Sequence, residues 1–207
     1  MSNNTNPIPT GKMEVIALSV LLTGLIFKIA HWPFAGPMIV ISLGTLAAVY
    51  TIRGFEIVSY VREEDILDAI ENGKFEQKEK PFTLVNIATG ILLAITCIGI
   101  LFRLMYWPFS QPYLSIACVG LPIAFAGLYI ARSKSVLKET AKIYLFKSIR
   151  VAVFFTVAAT LYFTSLKTQI DVENWDDPEM ARLKYKAMSN PTNVEYKKEY
   201  LEYRKIK

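Results

Sequence analysis

Between Met13 and Leu166 the chain passes through five long apolar runs with almost no charge inside them. No other feature constrains the fold as much. A helix on the surface of a soluble protein needs a polar face, and these runs do not supply one. Inside a bilayer every backbone N–H and C=O must be paired within the protein, which leaves helices for segments of this kind. The first run reaches about 28 Å at about 1.5 Å per residue, just enough to cross the hydrocarbon core. The expected fold class is therefore an all-α integral membrane protein. It has five transmembrane helices, built from two parallel helical hairpins plus a fifth span, and a polar helical C-terminal tail.

The expected segments follow in order. A polar N-terminus covers 1–12, a first transmembrane hairpin 13–52, and a cytoplasmic amphipathic connector 53–82. A second hairpin covers 83–131, a basic cytoplasmic loop 132–150, a fifth span 151–166, and an extracytoplasmic helical tail 167–207. The first apolar run is too long for a signal-peptide core and has no small-residue cleavage site before Lys28, so it reads as an uncleaved span. The fifth span could start earlier, at Ile143, if Lys147 and Arg150 snorkel. Pro122 falls inside the fourth span and should kink it, with Gly120 and Gly127 flanking the kink.

Each hairpin is closed by the same short stretch. The first copy is Gly24-Leu25-Ile26-Phe27-Lys28-Ile29-Ala30-His31-Trp32-Pro33-Phe34, followed by Gly36-Pro37. The second is Gly99-Ile100-Leu101-Phe102-Arg103-Leu104-Met105-Tyr106-Trp107-Pro108-Phe109, followed by Pro112. Proline has no amide donor and restricts the residue before it, so each Trp-Pro stops its helix. Tryptophan belongs at the membrane interface.

The polar segments carry further signals. In 62–73, Ile66, Leu67 and Ile70 share a helical face and Gly73 is a natural C-cap. That helix is either a solvated connector or a partner-docking element. In the tail, Asp177-Pro178-Glu179 reads as an N-cap, a first-turn proline and an acid at the positive end of the dipole. Ser189-Asn190-Pro191 breaks that helix, and Thr192 or Asn193 could cap the next. Tyr196, Tyr200 and Tyr203 then form one stripe, facing either a partner or the neighbouring helix.

The formal net charge is +5, and most of the loop Lys and Arg lie in 1–12, 53–80 and 132–150. The positive-inside rule places those segments in the cytoplasm, and the tail and both Trp-Pro turns outside. This charge pattern suits anionic lipid and topology control. Nothing in the sequence resembles a nucleic-acid module, so no nucleic acid is expected as a partner. Cys97 and Cys118 read as small buried hydrophobes, and no Cys/His spacing suggests a metal. There is no Ser/His/Asp set, acid pair or phosphate loop, so neither an enzyme nor a cofactor is expected.

The candidate site is the pair of turns: Lys28, His31 and Trp32 with Arg103, Tyr106 and Trp107. Ionisable groups within spans are functional candidates, and each needs a partner. The spans contain no Asp or Glu beyond their ends. Glu14 and Glu56 lie on the inner side, out of reach of Lys28 and Arg103. Trp32 and Trp107 each follow a cation by four residues, so each cation could rest on an indole ring. Two readings stand: interfacial cations that set helix depth, or a small outward-facing anion or lipid-head-group site made by both repeats. His31 adds the option of sensing pH.

At Gly24, Phe27, Lys28, His31, Gly36-Pro37 and Gly44 the chain resembles the N-terminal membrane hairpin of the GldL family. These are motor proteins of Bacteroidota gliding motility and type IX secretion. The resemblance covers about residues 15 to 55, with a weaker second match in 90 to 130. It implies an inner-membrane hairpin that pairs with the partner GldM and couples ion flow to motion, with Lys28 and His31 matching residues implicated there. The family also has a glutamate inside its second span, and the aligned position here is Ala48, between Ala47 and Val49. The five-span layout and outer tail depart from the motor protein, which has two spans and a long cytoplasmic region. The expected function is an accessory or scaffold protein that acts through helix packing. Its partners would be membrane lipids and either another membrane protein or further copies of itself. The alternative is an ion-conducting motor component whose missing acid comes from a partner.

Overall fold

A computed structural model describes residues 10–56, 83–134 and 138–206 of the protein. The connector helix expected in 62–73 lies outside the described residues. The described residues form eight helices and no strand: α1 (Thr10–Ile29), α2 (Ala35–Glu56), α3 (Thr83–Leu104), α4 (Ser110–Lys134), α5 (Lys138–Phe163), α6 (Leu166–Glu173), α7 (Pro178–Ser189) and α8 (Val194–Ile206). Four of them contain stretches long and apolar enough to cross a membrane: Ala35–Phe55, Leu84–Leu104, Ser110–Ser133 and Ala141–Phe163. α1 is not among these four; it carries Lys12, Glu14 and Lys28.

Successive helices pack side by side from α1 to α5, and α3 touches α2, α4 and α5. The core between them contains Ile39, Leu43 and Leu46 of α2, Leu93 and Cys97 of α3, Leu114, Leu121 and Leu128 of α4, and Val151 of α5. Lipid tails are as apolar as leucine, so burial alone cannot hold such helices together; close packing must. Glycines supply it. A Cβ on Gly90 would lie 2.6 Å from the Tyr50 carbonyl oxygen and 2.7 Å from Gly54 Cα, so α2 and α3 cross backbone to backbone. Gly120 faces the Leu92 side chain and Gly127 faces Val85, which brings α4 against α3 as small residues allow. Pro122 does lie within α4.

Buried hydroxyls find acceptors within their own helices. Thr89 donates to the Val85 carbonyl at 2.6 Å, Thr96 to Leu92 at 2.7 Å and Ser148 to Tyr144 at 2.9 Å. This satisfies polar groups where no water can.

At the end of the bundle opposite the Trp-Pro turns, Glu14 is only 5% exposed. It accepts hydrogen bonds from Tyr50 at 3.0 Å and from Arg53, and pairs with Arg150 at 2.9 Å. One carboxylate thereby ties α1, α2 and α5. Here α5 begins at Lys138, so Lys142, Lys147 and Arg150 are helical.

In the tail, Asp177 caps α7 by accepting from Met180 N–H at 3.0 Å, and Pro178 takes the first helical position. Asn193 accepts from Glu195 and Tyr196 N–H at the start of α8. The tyrosine stripe turns toward α7: Lys186 lies 4.2 Å from the Tyr196 ring centroid, and the Tyr203 hydroxyl is 3.3 Å from Asp177. α6 was not anticipated. Ser165 caps it by accepting from Thr168 N–H.

Candidate functional site

The two Trp-Pro turns have the same backbone. His31 and Tyr106 adopt left-handed conformations with φ of 55° and 57°; Phe34 and Phe109 follow at 70° and 68°. Trp32 N–H donates to the Phe27 carbonyl at 2.9 Å, and Trp107 N–H to Phe102 at 2.8 Å. His31 N–H donates to Lys28, and Tyr106 N–H to Arg103, both at 3.3 Å. These are the two bonds of a Schellman closure, built here on non-glycine residues. Its usual apolar contact is present too. Trp32 packs edge-on against Phe27 at 4.9 Å, and Trp107 against Phe102 at 5.4 Å. Behind each turn a glycine seats the return helix: a Cβ on Gly24 would lie 3.1 Å from Met38 Cβ, and one on Gly99 3.0 Å from Tyr113 Cβ.

This closure corrects the expected stacking of cations on indoles. Spacing of i and i+4 places two side chains on one face only while the helix continues. The left-handed residue at position 31 or 106 ends the helical register, and the indole folds back onto phenylalanine instead. Lys28 lies 4.7 Å from the ring centroid of Tyr106, which belongs to the other turn.

The expected lack of an acid partner is also corrected. Lys28 Nζ lies 3.8 Å from Glu173, the last residue of α6, and donates to the Leu104 carbonyl. Glu173 pairs with Lys184 of α7 at 3.0 Å and accepts from the Tyr106 hydroxyl. Lys184 also lies 4.7 Å from the Tyr106 centroid. His31 Nε2 is 3.6 Å from Asp176. The acids that meet the first turn therefore come from the tail. Asp171, Glu173, Asp176 and Asp177 form an acidic run directly after the last span, and that run was the available signal in the sequence.

The two turns do not form one symmetric site. Lys28, His31, Trp32 and Tyr106 join Glu173, Asp176 and Lys184 around a cavity of about 600 Å³ between the bundle and the tail. Arg103 and Trp107 do not line it. Arg103 is buried and donates to the Thr164 carbonyl at the end of α5, while Gln169 donates to the Arg103 carbonyl at 3.1 Å. The first cation thus meets the tail's acid, and the second fastens the start of the tail to α3.

Burial pushes the Glu173 carboxyl up, but Lys28, Lys184 and the Tyr106 hydroxyl outweigh it and hold the group below its ordinary value of 4.5. Burial and the Glu173 hydrogen bond push the Tyr106 hydroxyl well above its usual range. A carboxyl whose folded value is depressed contributes stability above the unfolded value and loses it as pH falls. Tail docking is therefore expected to hold at neutral pH and to weaken progressively below about pH 4.5. Protease sensitivity of 166–206, measured against pH with an acid-tolerant protease, checks this.

Among the described residues, no group of three or more His, Cys, Asp or Glu side chains is placed to hold a metal ion. No curated protein and no solved structure matches the chain. A family model does match, over the α1–α2 hairpin with its Lys28–Trp32 turn. Residues 15–66 match the family model of the GldL N-terminal domain, so this part of the chain is GldL-like in a helical, multi-pass membrane protein.

Proposed function

We propose that the protein is an accessory or scaffold subunit of the bacterial inner membrane, acting through helix packing and partner binding. In this reading α1 is a fifth span beside the four long apolar helices. Its charges support that placement: Glu14 is neutralised by Arg53 and Arg150 at one end, and Lys28 by Glu173 at the other. The α1–α2 and α3–α4 hairpins are parallel copies of one unit, which the shared turn geometry supports. The N-terminus and the basic segments face the cytoplasm, and the tail faces the periplasm. The partner is another membrane protein or a second copy of the chain.

The observation that carries this reading is where the charges sit. Glu14 and Glu173 lie at opposite ends of the bundle. On α2 the buried residues between those ends include Ile39, Leu43 and Leu46, and on α3 Leu93, Cys97 and Ile100. The buried Ser42 and Thr96 donate to their own backbones. Proton transfer needs titratable groups in reach of one another, and this interior supports packing instead. Vesicles containing the protein are expected to leak protons no faster than empty ones, with no change on Lys28→Ala. A flux that falls with Lys28→Ala would overturn the scaffold reading in favour of an ion-conducting component of a gliding or secretion motor. Cross-linking in native membranes then identifies the partner.

A further inference from the structure

The tail leaves an apolar surface uncovered beside the first turn. Trp175 is 73% exposed, and Val172, three residues before it, is 64% exposed. Their depth is fixed by their neighbours. Glu173 meets Lys28 in the last turn of α1, and Asp176 meets His31 in the Trp-Pro turn that follows it. Residues 173–176 therefore lie beside residues 28–31, with Trp175 between the two contacts in sequence. At this same end Trp32, Phe34, Trp107 and Phe109 are also exposed. Tryptophan concentrates where hydrocarbon meets head groups, so with the long helices read as spans Trp32 and Trp107 mark the level at which the bilayer ends.

We infer that Val172 and Trp175 insert into the lipid surface on the side of the Trp-Pro turns, extending the aromatic belt of the two turns with a third tryptophan from the tail. The occupant of this surface is lipid because the patch lies beside the first turn, whose exposed Trp32 and Phe34 face lipid when the long helices are read as spans. The Glu173–Lys28 ion pair and the Asp176–His31 contact hold it there. The tail is then fastened to the bundle through Arg103 and Glu173, and to the membrane through Trp175. This inference rests on the proposed reading of the long helices as spans with both turns at one face.

The chain has three tryptophans, Trp32, Trp107 and Trp175. Three proteins, each keeping one tryptophan with the other two replaced by phenylalanine, are placed in nanodiscs. The lipids carry bromine near the head-group end of the acyl chain. Trp175 fluorescence is expected to fall to a fraction similar to that of Trp32. Trp175 unquenched while Trp32 and Trp107 are quenched overturns the inference. In that case quenching of Trp175 by aqueous acrylamide shows a tail in water, and protection from it shows a protein partner. If none of the three is quenched, the span reading itself fails. The difference between the unaltered protein and Trp175→Phe gives the same answer should a double replacement not fold.

Discussion

Gly90→Ala is expected to destabilise the bundle by about 1–3 kcal/mol or more, the range for overpacking a close-packed interior. The new methyl would lie 2.6 Å from the Tyr50 carbonyl oxygen and 2.7 Å from Gly54 Cα. Both are backbone atoms in the facing helix, so relief requires moving α2 away from α3. Two other glycines make the comparison informative. A Cβ on Gly120 would also come within 2.6 Å of an atom, but that atom is Leu92 Cδ2 at the end of a side chain that can rotate. Gly120→Ala should cost clearly less. A Cβ on Gly44 meets nothing within 4 Å, and alanine favours helix, so Gly44→Ala should be neutral or slightly stabilising. Thermal unfolding of the purified proteins in detergent gives the order, with Gly90→Ala melting lowest.

Glu173→Ala is expected to release the tail while leaving the spans folded. Its side chain is 14% exposed and is shared by Lys28, Lys184 and the Tyr106 hydroxyl. Removing it leaves two ammonium groups, each 4.7 Å from the centroid of the same tyrosine ring, without the acid they share. Breaking a buried pair by deleting one partner costs about 3–5 kcal/mol, and the low end applies at the edge of a bundle. Glu173→Gln should fail in the same way despite its similar shape, because it removes the charge. Glu179→Ala, which breaks a solvent-exposed pair with Arg182 at 2.5 Å, should change nothing measurable. Hydrogen exchange over 166–206 reads all three, with faster exchange expected only for the Glu173 variants.

These two sites show what the sequence could carry. Uncharged runs and Trp-Pro stops are local signals, so the helical membrane fold and its turns were legible. So were the caps of α7 and α8, since Asp177-Pro178 and Asn193 act on their own next turn. The Gly54–Gly90 crossing was not legible. Glycine spacing marks candidates, but only the packing of α2 on α3 tells Gly90 from Gly44. The candidate site was legible in part. Lys28, His31, Trp32 and Tyr106 do share a cavity, while Arg103 and Trp107 turn elsewhere. Their partners were hidden because Glu173 is remote in sequence, and because α6 bends the tail back over the bundle. The cation–indole expectation failed for a local reason: it extended helical register through His31 and Tyr106, where the backbone is left-handed.

Joining the tail to the first turn tests this arrangement most directly. His31→Cys and Asp176→Cys are combined in one chain, and a short bismaleimide is added to native membranes. The native Cys97 and Cys118 lie inside α3 and α4, away from both positions. Mass spectrometry is expected to find positions 31 and 176 joined within one chain, with the product lost when Glu173→Ala is added. A thiol at 176 that reacts alone, or that joins position 31 only in a different chain, would contradict a tail acid seated on Lys28.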